Sequence, residues 1–329
     1  MIDFKILSKR FREFGGMRLL LAYYKMGVLE ANLKAVWECA KKNKSFKDAY
    51  PKITQQIDQI LAIQYRYIVD ESKSKGHDPC AYTKIPHIVW SWWLQGSKDM
   101  PELVRDSLSS QRDMLPDYEH RLLTLDNFSQ WVTLPEYIIK KYAKGIIPAA
   151  CFSDILRLCV LKKYGGMWMD ASVFCSGLRN EKLHERWQKI ENSEFTIFRY
   201  FQRGNPLPVG LSNWFIAAVP NNVICSTVLD MLLAYWRDYD CVVDYYMFHL
   251  FMGLCLDAFP EINAQIPHEN SYYSIMLGNK LKNDYNEAWW QDVANHVFIH
   301  KLNYRKAKEA AENQQSFYNE LFRQRINKH

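Results

Sequence analysis

The sequence predicts an α/β fold, in which helices flank a sheet of short buried strands behind a helical N-terminal extension. Short apolar runs alternate with longer amphipathic stretches from residue 85 to residue 169, as in successive strand and helix units. Apolar residues make up 48% of the 329 residues, which is enough for a large core. Asp170 directly follows the short strand from Met167 to Met169, at the edge where open α/β sheets bind ligands. These observations predict the architecture and also the place of a functional site.

Residues 1–80 are predicted to form the helical extension. Apolar positions from Leu19 to Trp37 recur at three- and four-residue spacing, and a second helix runs from near Pro51 to beyond Tyr65. A turn cluster over 76–79 predicts the boundary. Residues 81–305 then form the α/β domain, and residues 306–329 belong to a polar C-terminal helix that begins at Tyr304 and reaches Asn327.

The strands and helices of the α/β domain follow from apolar runs and helical periodicity. The predicted strands are 85–90, 118–123, 167–169, 195–199, 214–218 and 297–299. The predicted helices are 101–108, 135–144, 149–163, 222–235 and 245–256.

Composition and charge limit the classes of function. Residues 1–80 hold 15 Lys and Arg against 9 Asp and Glu, and the rest of the chain holds 27 of each. This basic segment either attracts an anionic bilayer surface or forms a solvated helix face. Neither phosphate-binding glycine motif is present, and no nucleic-acid recognition motif is found, so we expect no nucleic-acid partner. The eight Cys show no metal-binding spacing, and no apolar run could span a bilayer, so we expect a cytoplasmic protein.

Asp154 and Arg157 lie three residues apart on a predicted helix and therefore share one face. A carboxylate accepts protons from hydroxyl groups and a guanidinium donates in a planar fork, so this face suits a polyhydroxylated or phosphorylated ligand. The alternative is an ion pair within the helix that has only a structural role.

Three ordered motifs carry a family resemblance. The stretch from Ser153 to Ser172 has the pattern S-D-x-x-R-x-x-x-L-x-x-Y-G-G-x-x-x-D-x-[DST], Ile85 to Gly96 reads IPHIVWSWWLQG, and Phe298 to Tyr304 reads FIHKLNY. Together they resemble capsular polysaccharide synthesis proteins, which are related to the DXD-containing sugar-nucleotide glycosyltransferases. The resemblance covers residues 84–305 and implies a GT-A-like nucleotide-sugar-binding sheet.

The resemblance implies roles for individual residues. Asp154 and Arg157 would contact the sugar hydroxyls and the ribose of the donor, and Gly166 would bring the backbone close to the nucleotide. Trp90 would stack on the base, with Trp92 and Trp93 as alternatives and a core position as the other interpretation. Lys301 would offer a cation to the donor diphosphate.

The same resemblance implies a divalent metal, with Mn²⁺ as the expected ion. Asp170 matches the first carboxylate of the Asp-x-Asp motif, and His300 matches a late histidine that can supply a further ligand. Ser172 replaces the second carboxylate, and a neutral hydroxyl is a weak ligand for a hard cation. A structural role for His300 is the alternative.

Further candidates concern catalysis and the acceptor. Asp170 is the first candidate catalytic residue. Asp244 interrupts an apolar stretch and would orient the acceptor or assist as a base, or else cap the helix that follows. Asn213 and Trp214 are candidate contacts to the acceptor.

The leading hypothesis is a transferase that moves a sugar from a nucleotide-sugar donor, with UDP-hexose as the expected donor and with retention of configuration. Its acceptor would be a glycan or lipid-linked saccharide in capsule or surface polysaccharide synthesis. The basic N-terminus would give a peripheral contact with the cytoplasmic face of the membrane. The alternative, favoured by Ser172, is a non-catalytic nucleotide-sugar or glycan-binding protein of the same fold.

Overall fold

A five-stranded sheet lies at the centre of the fold. The computed structural model describes residues 16–42, 46–76, 84–96, 98–199 and 210–323. The strands are β1 (Ile88–Trp92), β2 (Glu119–Leu123), β3 (Gly166–Met169), β4 (Val173–Cys175), β5 (Phe195–Arg199), β6 (Leu211–Ala218) and β7 (Ile299–Lys301). The sheet has the order β2-β1-β3-β6-β5, and β4 pairs with β7 in a separate two-stranded sheet. Strands β1, β2 and β3 are parallel, whereas β6 runs antiparallel to its neighbours β3 and β5.

Helices cover the sheet, which confirms the predicted α/β fold class. They are α1 (Met17–Lys25), α2 (Leu29–Lys41), α3 (Phe46–Ser74), α4 (Glu102–Met114), α5 (Glu136–Ala143), α6 (Ala149–Tyr164), α7 (Glu181–Glu191), α8 (Val223–Asp238), α9 (Met247–Ala258), α10 (Pro260–Gln265), α11 (Ser271–Lys280), α12 (Glu287–His296) and α13 (Ala307–Glu312). Trp90 and Trp168 pack into one apolar layer, and Val89 and Met167 pack into the layer on the opposite face. The continuous apolar character of the strands follows from this burial on both faces.

The N-terminal helices pack onto the α/β domain and share its core. The ring of Tyr65 in α3 lies 5.5 Å from that of Phe251 in α9, and the Tyr23 hydroxyl in α1 donates to the carbonyl of Val243. No helix among the described residues is long and apolar enough to cross a bilayer. The turn cluster predicted as the boundary lies largely outside the described residues.

Several predicted elements differ from the structure, among them the last strand, which spans Ile299–Lys301 rather than 297–299. The first strand begins at Ile88 rather than Ile85, because Pro86 has no N–H to donate to a neighbouring strand. The prediction of a single C-terminal helix is wrong for the residues that the structure describes. Helix α13 ends at Glu312, and a separate helical turn spans Asn319–Arg323. Between them, Asn313 donates to the carbonyl of Lys282, and Phe317 is buried. The hydrogen bond of the Asn313 side chain and the burial of Phe317 stabilise a break between the two helical segments more than a continuous helix would.

Candidate functional site

Asp170 follows β3 and contacts two cations. Its Oδ2 accepts a hydrogen bond from Lys301 Nζ at 2.7 Å, and its Oδ1 accepts one from Trp168 Nε1 at 2.9 Å. Arg157 Nη2 lies 3.6 Å from Oδ1. Burial raises the pKa of Asp170, but the charges of Lys301 and Arg157 outweigh burial and bring the pKa below its ordinary value. Asp170 is therefore an ionised carboxylate, and 25% of its side chain is open to solvent.

Helix α6 brings Asp154 and Arg157 to the same place. Arg157 Nη1 lies 3.3 Å from Asp154 Oδ1, and both residues are buried. Burial raises the pKa of Asp154 to about 6, against the lowering effect of Arg157, and the nearby Asp170 raises it further. Arg157 faces both carboxylates. The ion pair between Asp154 and Arg157 is therefore present, and it lies within the group of side chains around Asp170.

Strand β6 supplies Asn213, whose side chain points toward this group. Asn213 Nδ2 donates to Asp154 Oδ1 at 3.1 Å, and Arg157 donates to the Asn213 carbonyl. The side chain of Trp214 points to the opposite face and packs against Phe198, with ring centroids 5.0 Å apart. Only its carbonyl reaches the site, where it accepts from the Asp170 N–H at 3.0 Å. The Trp214 side chain therefore does not join the group around Asp170, because successive strand residues face opposite ways, and its acceptor contact stays a prediction.

The small sheet places Lys301 beside Asp170. Val173 in β4 pairs with Lys301 in β7, so the lysine lies next to the loop that follows β3. Its Nζ donates to Ser172 Oγ at 2.8 Å as well as to Asp170 Oδ2. The Lys301 side chain keeps 27% exposure. One ammonium therefore bridges the two positions of the Asp-x-Asp pattern.

His300 lies on the other face of β7 and does not join the predicted metal ligands. Its ring is fully buried between Phe174 and Trp290, at centroid distances of 5.9 and 5.2 Å. Its Nε2 lies 2.9 Å from Ser176 Oγ. Burial lowers its pKa to about 3, so the imidazole is neutral. Strand alternation sends Lys301 toward Asp170 and His300 away from it, and the structural alternative is the correct one.

The described residues do not fit a divalent metal at this place. Asp170 is the one carboxylate of the predicted set, Ser172 is neutral, and His300 faces away. Across the described ranges, no group of three or more His, Cys, Asp or Glu side chains could hold a metal ion. The predicted ligand set of Asp170, Ser172 and His300 is thus not assembled.

The three tryptophans of β1 and the loop after it occupy different places. Trp90 is fully buried, donates to the Gly165 carbonyl at 3.0 Å and packs against Trp131, so it has no face for a base and its core alternative is correct. Trp92 packs against Phe152 in the same layer. Trp93 is half-buried, and it packs near Ala171 in the loop that follows Asp170. Trp93 is therefore the one of the three that packs against the same apolar cluster as Ala171.

Gly166 acts in packing and lies at the far end of β3 from Asp170. Its φ is +98°, and a Cβ there would lie 2.5 Å from the carbonyl oxygen of Ile88. The close approach that requires glycine is therefore to β1, where Gly166 precedes the pairing of Met167 with Val89. Packing against β1 therefore accounts for this glycine, and a nucleotide contact of Gly166 stays a prediction.

Asp244 lies in the turn before α9 and holds the N-terminal extension. Its Oδ1 accepts from the Tyr246 N–H at 2.7 Å and from the Tyr50 hydroxyl at 3.0 Å, and its Oδ2 accepts from Thr54 Oγ1 at 2.6 Å. Burial raises the pKa of Asp244, against the lowering effect of these hydrogen bonds. Both oxygens accept hydrogen bonds from structural donors, and the helix that follows has Tyr246 as its N-cap without a side-chain cap hydrogen bond, so the structure supports neither the base role nor the capping alternative.

Two supporting residues were not predicted. Gln111 in α4 donates to the carbonyls of Asp170 and Val173, at 3.2 and 2.9 Å, and Ser91 in β1 donates to the Met169 carbonyl at 2.8 Å. Together they fix the backbone around Asp170. Gln111 lies on the buried face of α4, in line with Val104 and Leu108. A polar residue on this apolar face is the one sequence feature that indicates a supporting role for Gln111.

Comparisons with known proteins identify the family. A family model described as "Capsular polysaccharide synthesis protein" matches residues 36–321. The chain belongs to this family. The match includes all the residues gathered around Asp170 and begins within helix α2, so the family region extends into the helical extension.

Individual relatives are more distant. An O-glycosyltransferase, braB, of Annulohypoxylon truncatum is 28% identical over 159 residues, which are 45% of this chain and 37% of that protein. The aligned region thus spans well under two thirds of the relative. Among solved structures, the PaToxG glycosyltransferase has a TM-score of 0.40 and 16% identity, covering 72% of this chain and 93% of its own. The catalytic domain of alpha-toxin from Clostridium novyi has a TM-score of 0.39 and 10% identity, covering 91% of each chain.

Proposed function

We propose that this protein is a glycosyltransferase that takes a sugar from a nucleotide-sugar donor. The observation that carries the proposal is the group formed by Asp154, Arg157, Asp170 and Lys301 at the carboxyl end of β3. It combines carboxylates for sugar hydroxyls with two cations for a diphosphate, at the sheet edge where ligands bind. Membership of the capsular polysaccharide synthesis family supports the same activity.

Each side chain has a role in this proposal. Asp154 accepts hydrogen bonds from hydroxyls of the donor, and Arg157 donates to the same part of the ligand. Lys301 faces the diphosphate, and Trp93 offers a half-buried ring for the base. Asn213 positions Asp154 and Arg157 through the hydrogen bonds described above.

Transfer breaks the bond between the anomeric carbon and the diphosphate oxygen and forms a bond from that carbon to an acceptor oxygen. The electron pair of the broken bond goes to the departing diphosphate, and its oxygen takes the proton of the acceptor hydroxyl. The reaction therefore needs no protein base, in agreement with the structural role of Asp244. The family resemblance favours retention of configuration and a UDP-hexose donor.

The proposed acceptor is a glycan or lipid-linked saccharide of capsule or surface polysaccharide synthesis, at the cytoplasmic face of a membrane. Support comes from the outer face of α1, where Met17, Leu21 and Tyr24 are 67%, 63% and 76% exposed. Their spacing places them on one side of the helix. In α2, Leu33 and Trp37 are also exposed, with Lys41 Nζ 5.3 Å from the Trp37 ring. Exposed apolar side chains beside basic ones suit an anionic lipid surface.

A second candidate is a non-catalytic nucleotide-sugar-binding protein. The observation that favours it is Ser172, whose hydroxyl contacts Lys301 where the resemblance implies a metal-binding carboxylate. Such a protein would bind the donor without releasing the nucleoside diphosphate. Turnover of the donor therefore separates the two candidates.

A thermal-shift screen tests the donor class. The purified protein is heated with UDP, GDP, dTDP or CMP. One nucleotide is expected to stabilise it, by about 2.7 kcal/mol at 100 times its dissociation constant. The R157M variant, which lacks the guanidinium, should lose this stabilisation, whereas a K282M control, which breaks the surface pair with Glu309, should keep it. Absence of stabilisation by every nucleotide would contradict the proposed function.

A further inference from the structure

The ammonium of Lys301 occupies the place where the family pattern implies a metal ion. Its Nζ lies 2.7 Å from Asp170 Oδ2 and 2.8 Å from Ser172 Oγ, the side chains at the two positions of the Asp-x-Asp pattern. These two contacts come from one cation that belongs to the chain. The lysine arrives on β7, whose pairing with β4 fixes it beside the loop after β3.

The side chains around this position favour an ammonium over a divalent ion. A hard divalent cation prefers several oxygen ligands that include carboxylates, and here Ser172 offers only a hydroxyl. A hydroxyl is instead a good acceptor for an ammonium, which has three N–H groups to donate. A divalent ion bound to both Asp170 and Ser172 would also lie beside the ammonium that donates to both, and like charges in contact repel.

The ammonium remains accessible to a ligand. About a quarter of the side chain is exposed for both Lys301 and Asp170, at 27% and 25%. Among the described residues, Lys301 donates two of its three N–H groups to protein atoms, which leaves one for an oxygen of the diphosphate. Arg157, whose Nη2 lies 3.6 Å from Asp170 Oδ1, adds a second fixed positive charge nearby.

We propose that Lys301 replaces the divalent metal, so that this chain binds its nucleotide-sugar donor and stabilises the leaving diphosphate without a metal ion. This inference rests on the proposed transferase function and specifies how the same site handles charge. Asp170 and Ser172 then hold the ammonium in place, and Ser172 is a positioning residue rather than the remnant of a lost metal site. Preorganised cations of this kind stabilise charge that develops on a leaving group.

Titration calorimetry with UDP, GDP and dTDP tests the inference, in EDTA and in Mn²⁺. We expect one nucleotide to bind equally well in both, within about twofold. The K301M variant should lose about 10- to 100-fold in affinity, the range expected when a hydrogen bond to a charged group is removed. K301R should recover part of the loss, because it restores a cation. The K282M control removes a lysine paired with Glu309 on the surface and should bind as the unmodified protein does.

A double variant gives the converse measurement. In S172D/K301M the ammonium is removed and a second carboxylate is added, which restores the ligands of the family pattern. We expect this variant to bind the nucleotide in Mn²⁺ and to lose binding in EDTA.

The outcomes separate this inference from the proposed function. Binding by the unmodified protein that requires Mn²⁺ and disappears in EDTA would overturn the role of Lys301 and leave the transferase proposal intact. Equal affinity of K301M and the unmodified protein in EDTA would also overturn that role. Failure of every nucleotide to bind under both conditions would overturn the proposed function itself.

Discussion

Two carboxylates and two cations lie together at the end of β3, and burial affects them differently. Asp170 contacts both cations and has a lowered pKa, whereas Asp154 contacts only one of the two cations, Arg157, and has a pKa raised to about 6. The difference follows from Lys301, which lies 2.7 Å from Asp170. Asp154 is therefore the member of the group whose charge changes near neutral pH.

The raised pKa of Asp154 predicts that donor binding depends on pH. The ionised carboxylate accepts hydrogen bonds from sugar hydroxyls, so its contribution is present above a pH of about 6 and is lost as the pH falls through that value. Affinity for a nucleotide sugar, measured by calorimetry between pH 5 and 8, should fall at the acid end. D154N should bind weakly, with an almost flat profile, because it has no charge to lose. An unchanged pH profile in D154N would contradict this role.

At the scale of elements, Asp244 joins the N-terminal extension to helix α9. It accepts hydroxyl hydrogen bonds from Tyr50 and Thr54 in α3, and it accepts the Tyr246 N–H in the turn that precedes α9. Helix α3 also packs against α8 and α9 through buried apolar residues. The extension is thus held by a buried polar contact as well as by the hydrophobic effect.

D244A is expected to lower the free energy of unfolding by about 2 to 4 kcal/mol, because it leaves the buried Thr54 hydroxyl, the half-buried Tyr50 hydroxyl and one N–H without their acceptor. D244N should cost less, since its amide oxygen still accepts. Chemical denaturation measures both, with D70N as a control that breaks the exposed pair with Arg66. Transferase activity per folded molecule should stay within about twofold of normal. If D244N had normal stability but had lost transferase activity, the result would favour Asp244 as a catalytic base.

The sequence predicts elements well where the pattern is local. Helix α6, strand β3 and Asp170 lie in one continuous stretch, and periodicity with the Gly-Gly break places all three correctly. His300 was misplaced because its direction depends on the pairing of β7 with β4, which lies more than 120 residues earlier. The hydrogen bond between Asp244 and Thr54 spans 190 residues, so no local pattern indicates it.

For the whole molecule, the described N-terminal helices have a buried side and an exposed apolar side. Leu19 and Ala22 face the core, whereas Leu21 and Tyr24 face solvent. Because α1 to α3 contribute to the common core, deleting residues 1–80 would disturb folding as well as any membrane contact. Point substitutions on the exposed face are therefore the cleaner test.

L21S/Y24S is expected to reduce recovery with anionic phosphatidylserine vesicles in a flotation assay by about tenfold or more, since burial of each large apolar side chain contributes roughly 1.5–3 kcal/mol. Neutral phosphatidylcholine vesicles should recover little of either protein. The control L125S/Y272S removes apolar side chains of the α/β domain that are 41% and 39% exposed, and it should float normally. Equal recovery of L21S/Y24S and the unmodified protein would argue against docking through α1.

The most direct test of the proposed site around Asp170 is the rate at which D170N releases the nucleoside diphosphate from a nucleotide sugar. The donor is the one whose nucleoside diphosphate stabilises the protein on heating. D230N, which breaks the surface pair of Asp230 with Lys162, is the matched control. D170N should lose at least about 100-fold in rate, because Asp170 holds the charged groups that face the leaving diphosphate, and D230N should lose nothing. Equal rates in D170N and D230N would contradict the assignment of the site to the end of β3.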